Sequence, residues 1–192
     1  MKQSAHPAKD RTRELTTLEN VILGFLAFEP QSGYAMMNNL ETGVYRASAS
    51  TGSVYPVLKR LEKLGLISSL IEAVYETRPR KVYKLLPSGE AVLDEWLRRD
   101  PTIAEVIEAY DLAMHKFLIA EFRLSRAEVL AWLGGYEAVV EATLAIHAAL
   151  DQATKDEPGL SLHAQLIREA IILEIQARRA WIQAARARLT AE

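Results

Sequence analysis

The chain has 192 residues, with 23 Lys and Arg against 25 Asp and Glu, 49% hydrophobic residues and no Cys. Such a composition suits one folded domain of ordinary size or two small ones, and it excludes a disulfide scaffold, a thiolate metal site and a Cys nucleophile. The net charge of -2 resolves into +2 over residues 1–100 and -4 over residues 101–192, with +5 concentrated between residues 44 and 84.

No apolar run is expected to approach the roughly 20 residues that span a bilayer, and the opening MKQSAHPAKDRTRE lacks the apolar core of a secretory signal. The expectation is a cytoplasmic protein without membrane contact. Residues 1–13 are polar and aperiodic and read as a mobile tail. Thr16-x-x-Glu19 is a capping box that opens a first helix, with Leu18, Val21, Ile22, Phe25 and Leu26 on one face and a stop at Glu29-Pro30. A second helix runs from Ser32-Gly33 to Thr42-Gly43 with Tyr34, Met37 and Leu40 inward.

A third helix begins within SASTGS, continues through VYPVLKRLEKL and stops at Gly65, a residue suited to a left-handed C-terminal cap. Val54, Leu58 and Leu61 form its buried stripe. Pro56 requires either that the regular helix start near Tyr55 or that a kink follow that residue. Two strands come next, in LISSLIEAVYE and KVYKLL, joined by the charged tip Thr77-Arg78-Pro79-Arg80. Pro87-Ser88-Gly89 then opens the helix EAVLDEWLRR, and Asp100-Pro101 marks a boundary. Three helices, a two-stranded hairpin and one more helix make a winged helix-turn-helix over residues 14–100.

Residues 101–192 read as a helical domain. Thr102-x-x-Glu105 and Ser125-x-x-Glu128 are capping boxes, and Glu157-Pro158-Gly159 breaks the chain. Ile103, Ile107, Tyr110, Met114 and Phe117 form one stripe. Val129, Leu133, Tyr136, Val140, Thr143, His147 and Leu150 form another, interrupted by Gly134 and Gly135, which imply close packing or an irregularity. The last helix, from about Ser161 to Leu189, is apolar in two directions. Leu166, Ala170, Leu173, Ala177, Ala180, Ala184 and Ala187 form a heptad seam, and Ile167, Ile171, Ile175, Ile182 and Leu189 form a second face. A helical hairpin buries only one of these, so the other is expected to meet a second copy in a two-fold homodimer.

The chemistry follows the charge. A basic helix with Ser and Thr near its start fits the major groove of double-stranded DNA, with hairpin arginines reaching the flanking backbone or minor groove. Ser50, Thr51, Ser53 and Tyr55 would lie near base edges; Lys59, Arg60, Lys63, Arg78, Arg80 and Lys81 would meet phosphates. The bland alternative for these cations is a solvated face. Leu23-Gly24-x-Leu26, Ser32-Gly33-Tyr34, the run from Gly52 to Glu62, Gly65-Leu66-Ile67, Arg80-Lys81-Val82-Tyr83 and Gly89 also resemble the PadR-type transcriptional regulators. The resemblance spans roughly residues 15–100 and is looser beyond, where length, helicity and Trp181 are similar to the subgroup with a large C-terminal helical domain. It implies a dimeric regulator, commonly a repressor, that binds pseudo-palindromic operators and is released by a small, often aromatic or phenolic, effector. Leu86-Pro87 departs from the usual Thr of the family, and a proline at the first helical position can replace that cap.

An effector site in the second domain would draw on Trp132, His163 and Trp181, with a His or Arg168 for a carboxylate; Tyr110, Phe117, Tyr136 and His147 read as core. The competing classes are a winged-helix interaction module without DNA binding and an enzyme. The four His residues lack metal spacing, no Gly-rich phosphate loop or GxSxG turn occurs, and Asp111 with His115 reads as a helix-surface pair, so no cofactor, metal or catalytic residue is assigned.

Overall fold

The structure is a computed structural model that describes residues 13–42, 53–73, 79–108, 110–154 and 161–191. Helix α1 (Thr17–Phe28) starts from the expected capping box: Glu19 N–H donates to Thr16 Oγ1 at 3.3 Å, and Thr16 N–H donates to Glu19 Oε2 at 2.7 Å. The short strand β1 (Gln31–Ser32) leads into α2 (Gly33–Thr42). On α2 Leu40 is buried as expected, but Met36 rather than Met37 is fully buried and Tyr34 is 68% exposed. Gly33 is the cause: a Cβ there would crowd the ring of Tyr55, so this turn packs against the next helix and Tyr34 faces out.

Helix α3 (Val54–Lys63) buries Val54, Leu58 and Leu61 as their spacing requires. Pro56 falls in its first turn, where no intrahelical hydrogen bond is lost, so neither a later start nor a kink is needed. The helix ends as read: Gly65 has φ 71°, a conformation that costs other residues a steric penalty.

Strands β2 (Ile67–Ala73) and β3 (Pro79–Leu85) pair antiparallel, with Ile67 opposite Leu85 and Glu72 opposite Arg80. Two expectations are corrected. The sheet has three strands, because Gln31 and Ser32 pair with Tyr83 and Val82; and Arg80 belongs to a strand rather than the hairpin tip. Helix α4 (Pro87–Arg98) opens with proline at its first position, and Ser88 Oγ donates to the Gly65 carbonyl at 2.6 Å.

Beyond α4, the helix expected from Ile103 to Phe117 is interrupted. Ala104–Glu108 form a π-helical turn, and α5 (Tyr110–Arg123) follows. Helices α6 (Arg126–Thr154) and α7 (Leu162–Ala191) then pair as a long hairpin. The Glu157-Pro158-Gly159 break lies outside the described residues. Contacts divide the chain into two units: residues up to 97 with 111–122, and residues 98–110 with those from 123 onward. The chain therefore passes between units three times instead of once near residue 100.

In the first unit, Val21, Ile22, Leu23, Met36, Leu40, Leu58, Leu61, Leu93 and Leu97 are buried with Ile119 of α5. A Cβ at Gly24 would collide with the Ile119 side chain, which is how closely α1 and α5 approach. His115 is buried rather than a surface partner of Asp111. Its Nδ1 lies 2.7 Å from the Asp111 carbonyl and its ring meets Phe25 edge-on at 5.6 Å, and burial pushes its pKa below the usual value.

In the second unit, Leu133, Tyr136 and Val140 are buried on α6, and Ile175 and Ile182 on α7. A Cβ at Gly135 would press on Pro101, whereas one at Gly134 would meet nothing, so one of the two glycines explains the close packing. The hydropathy expectation also needs correction. Residues 126–153 of α6 are long and apolar enough to cross a membrane by length and composition, although Glu137 and Glu141 break up the run. Both carboxylates pair with α7, through Arg186 and Arg179, so this face of α6 is a helix–helix contact.

Helix α6 is capped by Ser125 and Glu128, and the Ser125 N–H, the Ser125 hydroxyl and Arg98 together hold the Glu128 carboxyl at about 2. A pKa lowered on folding stabilises the fold above its ordinary value of 4.5 and loses that contribution as the pH falls toward about 2. The stability gap between the chain and a Glu128→Gln variant should be widest above pH 4.5 and shrink through this window. Paired denaturation curves across pH 2–6 check this; a pH-independent gap would contradict it.

Candidate nucleic-acid interface

The outward side of α3 is set by its inward stripe. With Val54, Leu58 and Leu61 buried, Tyr55, Lys59 and Lys63 form an exposed row four residues apart. Tyr55 is 54% exposed, its ring resting against Gly33 of α2. Ser53 occupies the N-cap position, half-buried, without capping the helix through its side chain. Ser50, Thr51 and Arg78 lie outside the described residues.

Arg60 is placed differently from its basic neighbours. Its side chain is 11% exposed, and Nη1 donates to Glu19 Oε1 at 2.7 Å while Nη2 donates to the Arg13 carbonyl at 3.1 Å. Arg13 Nη2 donates to the same Glu19 oxygen at 2.9 Å. Glu19 is 2% exposed, so a buried carboxylate between two guanidiniums fixes α3 to the start of α1. A capping glutamate was legible in the sequence; its second task, holding the helix above it, was not.

The other flank of α3 carries a second attachment. Glu62 accepts from Ser69 Oγ on β2 and from Lys81 Nζ on β3, the latter at 2.9 Å. These two bonds hold the Glu62 carboxyl below the usual carboxylate range, and the bond to Glu62 raises Lys81. Lys81 also sits 5.0 Å from the Tyr83 ring centroid. Arg80, on the opposite face of β3, is 3.1 Å from its register partner Glu72, an exposed pair that adds at most about 1 kcal/mol. In the sequence Glu62 and Glu72 enter only as negative charge within the basic segment of residues 44–84. The structure makes them partners of two of the wing cations, Lys81 and Arg80.

The side chains considered for an effector separate. Trp132 is buried and Trp181 half-buried, and both rings meet Tyr136, at 5.3 Å and 6.1 Å. His163 is exposed on α7, 18 residues before Trp181, or about 27 Å along a straight helix. Arg168 pairs with Asp151 at 2.6 Å. A groove of about 510 Å³ between α6 and α7 is lined by Glu137, Gln183, Arg186, Ala187, Thr190 and Ala191, of which the sequence singles out only Ala187, as part of the heptad seam. Tyr110 and Phe117, read as core, are only half-buried, as is His147.

Comparison with known proteins adds the following. Residues 22–95 match the transcriptional regulator PadR-like family. No curated protein matches the chain. Among solved structures, Bacillus subtilis PadR in complex with operator DNA is 22% identical, with 91% of this chain and 99% of that chain covered and a TM-score of 0.45. The same protein in complex with p-coumaric acid is 22% identical over 91% of this chain and 99% of that chain, with a TM-score of 0.38. The Vibrio cholerae virulence activator AphA is 22% identical over 91% of this chain and 98% of that chain, with a TM-score of 0.37.

Glu62 is the testable link between helix and wing. Glu62→Gln removes the charge that raises Lys81, so the Lys81 ammonium should titrate closer to 10.5, and because the pair is partly exposed global stability should fall by less than about 1 kcal/mol. NMR titration of Lys81 Nζ, with a denaturation curve beside it, measures both. An unmoved Lys81 titration would mean that the bond is not formed in solution.

Proposed function

Because residues 22–95 belong to the PadR-like family of transcriptional regulators, we propose that the chain is a cytoplasmic homodimer that binds pseudo-palindromic operator DNA and represses the adjoining genes. The observation that carries this reading is the exposed row of Tyr55, Lys59 and Lys63 on α3, flanked by the exposed Arg80 and Lys81 of the wing. A helix with an apolar underside and a basic outer row is what entry into a major groove requires. In this reading Lys59, Lys63, Arg78, Arg80 and Lys81 neutralise phosphates, and Ser50, Thr51, Ser53 and Tyr55 lie toward the bases. Arg60 contributes by holding α3 in place. Arg80 and Lys81 exchange Glu72 and Glu62 for phosphate oxygens, a small cost because both pairs are solvated.

Dimerisation through the C-terminal helices is supported by the seam of α7. Leu166, Ala170, Leu173, Ala177, Ala180, Ala184 and Ala187 are all exposed, while Ile175 and Ile182 are buried within the chain. An apolar seam of this length left in water is the usual mark of an association surface. A two-fold pair would present two copies of α3 to half-sites about 34 Å, one helical turn, apart or at a multiple of that spacing. The effector in this reading is a small aromatic acid that meets the half-buried Trp181, next to Tyr136 and Trp132. By binding two arrangements of the dimer unequally, it shifts their populations and releases the operator.

Two measurements test the reading. A duplex from the upstream region of the chain's own gene, titrated at 50–200 mM salt, should bind with steep salt dependence, and Lys59→Ala should weaken binding to every duplex and lower the slope by about 0.9. Absence of salt-dependent binding would favour an interaction module that does not bind DNA. Ala177→Glu places a charge in the exposed seam without touching Ile175 or Ile182, so it should shift sedimentation from dimer to monomer with helicity retained. A variant that stays dimeric would exclude this seam.

A further inference from the structure

Strands β2 and β3 pair residue for residue, from Ile67 opposite Leu85 to Ala73 opposite Pro79, without a bulge. Alternation along both strands therefore sorts their side chains between two faces. Ser69 and Lys81 both bond to Glu62, so their face is the one turned toward α3. Ile67, Ile71, Tyr83 and Leu85 share that face, on which Lys81 is the only charged side chain among these residues, whereas Glu72, Arg80 and Lys84 stand on the reverse.

Cover on this face fades toward the tip of the wing. Ile67 is buried and Ser69 half-buried, but Ile71, two residues or about 7 Å beyond Ser69, is 75% exposed. Its register partner is Lys81, and side chains so paired stand about 5 Å apart at Cβ. The Lys81 ammonium leans back from the tip, to Glu62 and the Tyr83 ring, and leaves Ile71 open to water. Strand formation asks only for a β-branched residue at this position, and threonine would supply one without an apolar surface. Because β2 is also the edge of the sheet, an exposed isoleucine there invites association unless a partner covers it.

An apolar side chain beside one cation, on a face where these strands place no carboxylate, matches a nucleotide in its two parts: a charged phosphate and the C–H surface of its sugar. We propose that Ile71 is a DNA-contacting residue, packing on the deoxyribose of the nucleotide whose phosphate Lys81 neutralises. The proposal rests on the DNA-binding reading above and adds to the wing a contact of a different kind. Phosphate contacts weaken steeply with salt through counterion release, whereas apolar area withdrawn from water releases no counterions.

The test uses an isosteric pair. Ile71→Val and Ile71→Thr are both β-branched, so both keep the strand, and they differ from each other only in a methyl against a hydroxyl. On one duplex across 50–200 mM salt, Ile71→Val should bind nearly as tightly as the parent chain, and Ile71→Thr roughly five- to tenfold more weakly at every salt concentration with an unchanged slope. Lys81→Ala, by contrast, should lower the slope by about 0.9. In the complex, the Ile71 δ1-methyl of the parent chain should give nuclear Overhauser contacts to deoxyribose protons. Equal affinity of the two Ile71 variants overturns the proposal, as does the absence of those contacts. A slope that falls in Ile71→Thr as it does in Lys81→Ala also overturns it, since Ile71 would then serve only to position the lysine. A parent chain that binds no duplex defeats the DNA-binding reading itself, a result separate from any difference between the variants.

Discussion

The position of α3 depends on a carboxylate that water hardly reaches. Glu19 is 2% exposed and accepts from Thr16 N–H, Arg13 and Arg60. Burying a carboxylate costs several kcal/mol unless its oxygens are paired, and removing one partner from a buried pair typically costs about 3–5 kcal/mol. Exposed pairs such as Arg80 with Glu72 contribute an order less. A single side chain thus caps α1, binds α3 to it and fastens the segment at Arg13. The apolar stripe of Val54, Leu58 and Leu61 fixes which side of α3 turns inward, and Glu19 and Glu62 hold its two flanks.

A polar constraint of the same kind organises the second unit. The π-helical turn Ala104–Glu108 displaces main-chain carbonyls from ordinary helical pairing, and such groups need other donors when buried. Arg178 supplies two bonds, to the carbonyls of Val106 at 2.9 Å and Ile107 at 3.1 Å, and Tyr136 O–H donates to Val106 at 3.4 Å. The guanidinium also lies 5.1 Å from the Tyr110 ring centroid. Burial raises the Tyr136 phenol well above its usual value, so the hydroxyl remains a donor. Helices α6 and α7 are joined to this turn at one level, and their exposed apolar side chains, including Leu162, Leu166, Ile167 and Leu173, lie elsewhere along the hairpin.

The sequence was most readable where a short-range rule governs. The capping boxes at Thr16, Thr102 and Ser125 form as their spacing demands, because donor and acceptor lie within one turn. Gly65 takes the left-handed conformation that a helix stop needs, and Pro87 starts its helix. The reading failed where a neighbour decides. Tyr34 of α2 turned outward where Gly33 meets Tyr55; Gln31 and Ser32 became a strand because β3 offered an edge; His115 was drawn inward against Phe25. None of these partners is close in sequence, so no periodicity announces them.

The amino-acid sequence alone determined the order of elements, the apolar underside of α3 with its outward row of Tyr55, Lys59 and Lys63, and the concentration of positive charge between residues 44 and 84. These are consequences of helical spacing and composition, which act locally. Tertiary structure alone decided which cations are available to a ligand. It took Arg60 into a buried pair with Glu19, set Lys81 against Glu62 and Arg80 against Glu72, and left Lys59 exposed on α3. A charge's partner depends on which distant carboxylate the folded backbone brings within about 3 Å, and the linear order of residues does not encode that distance.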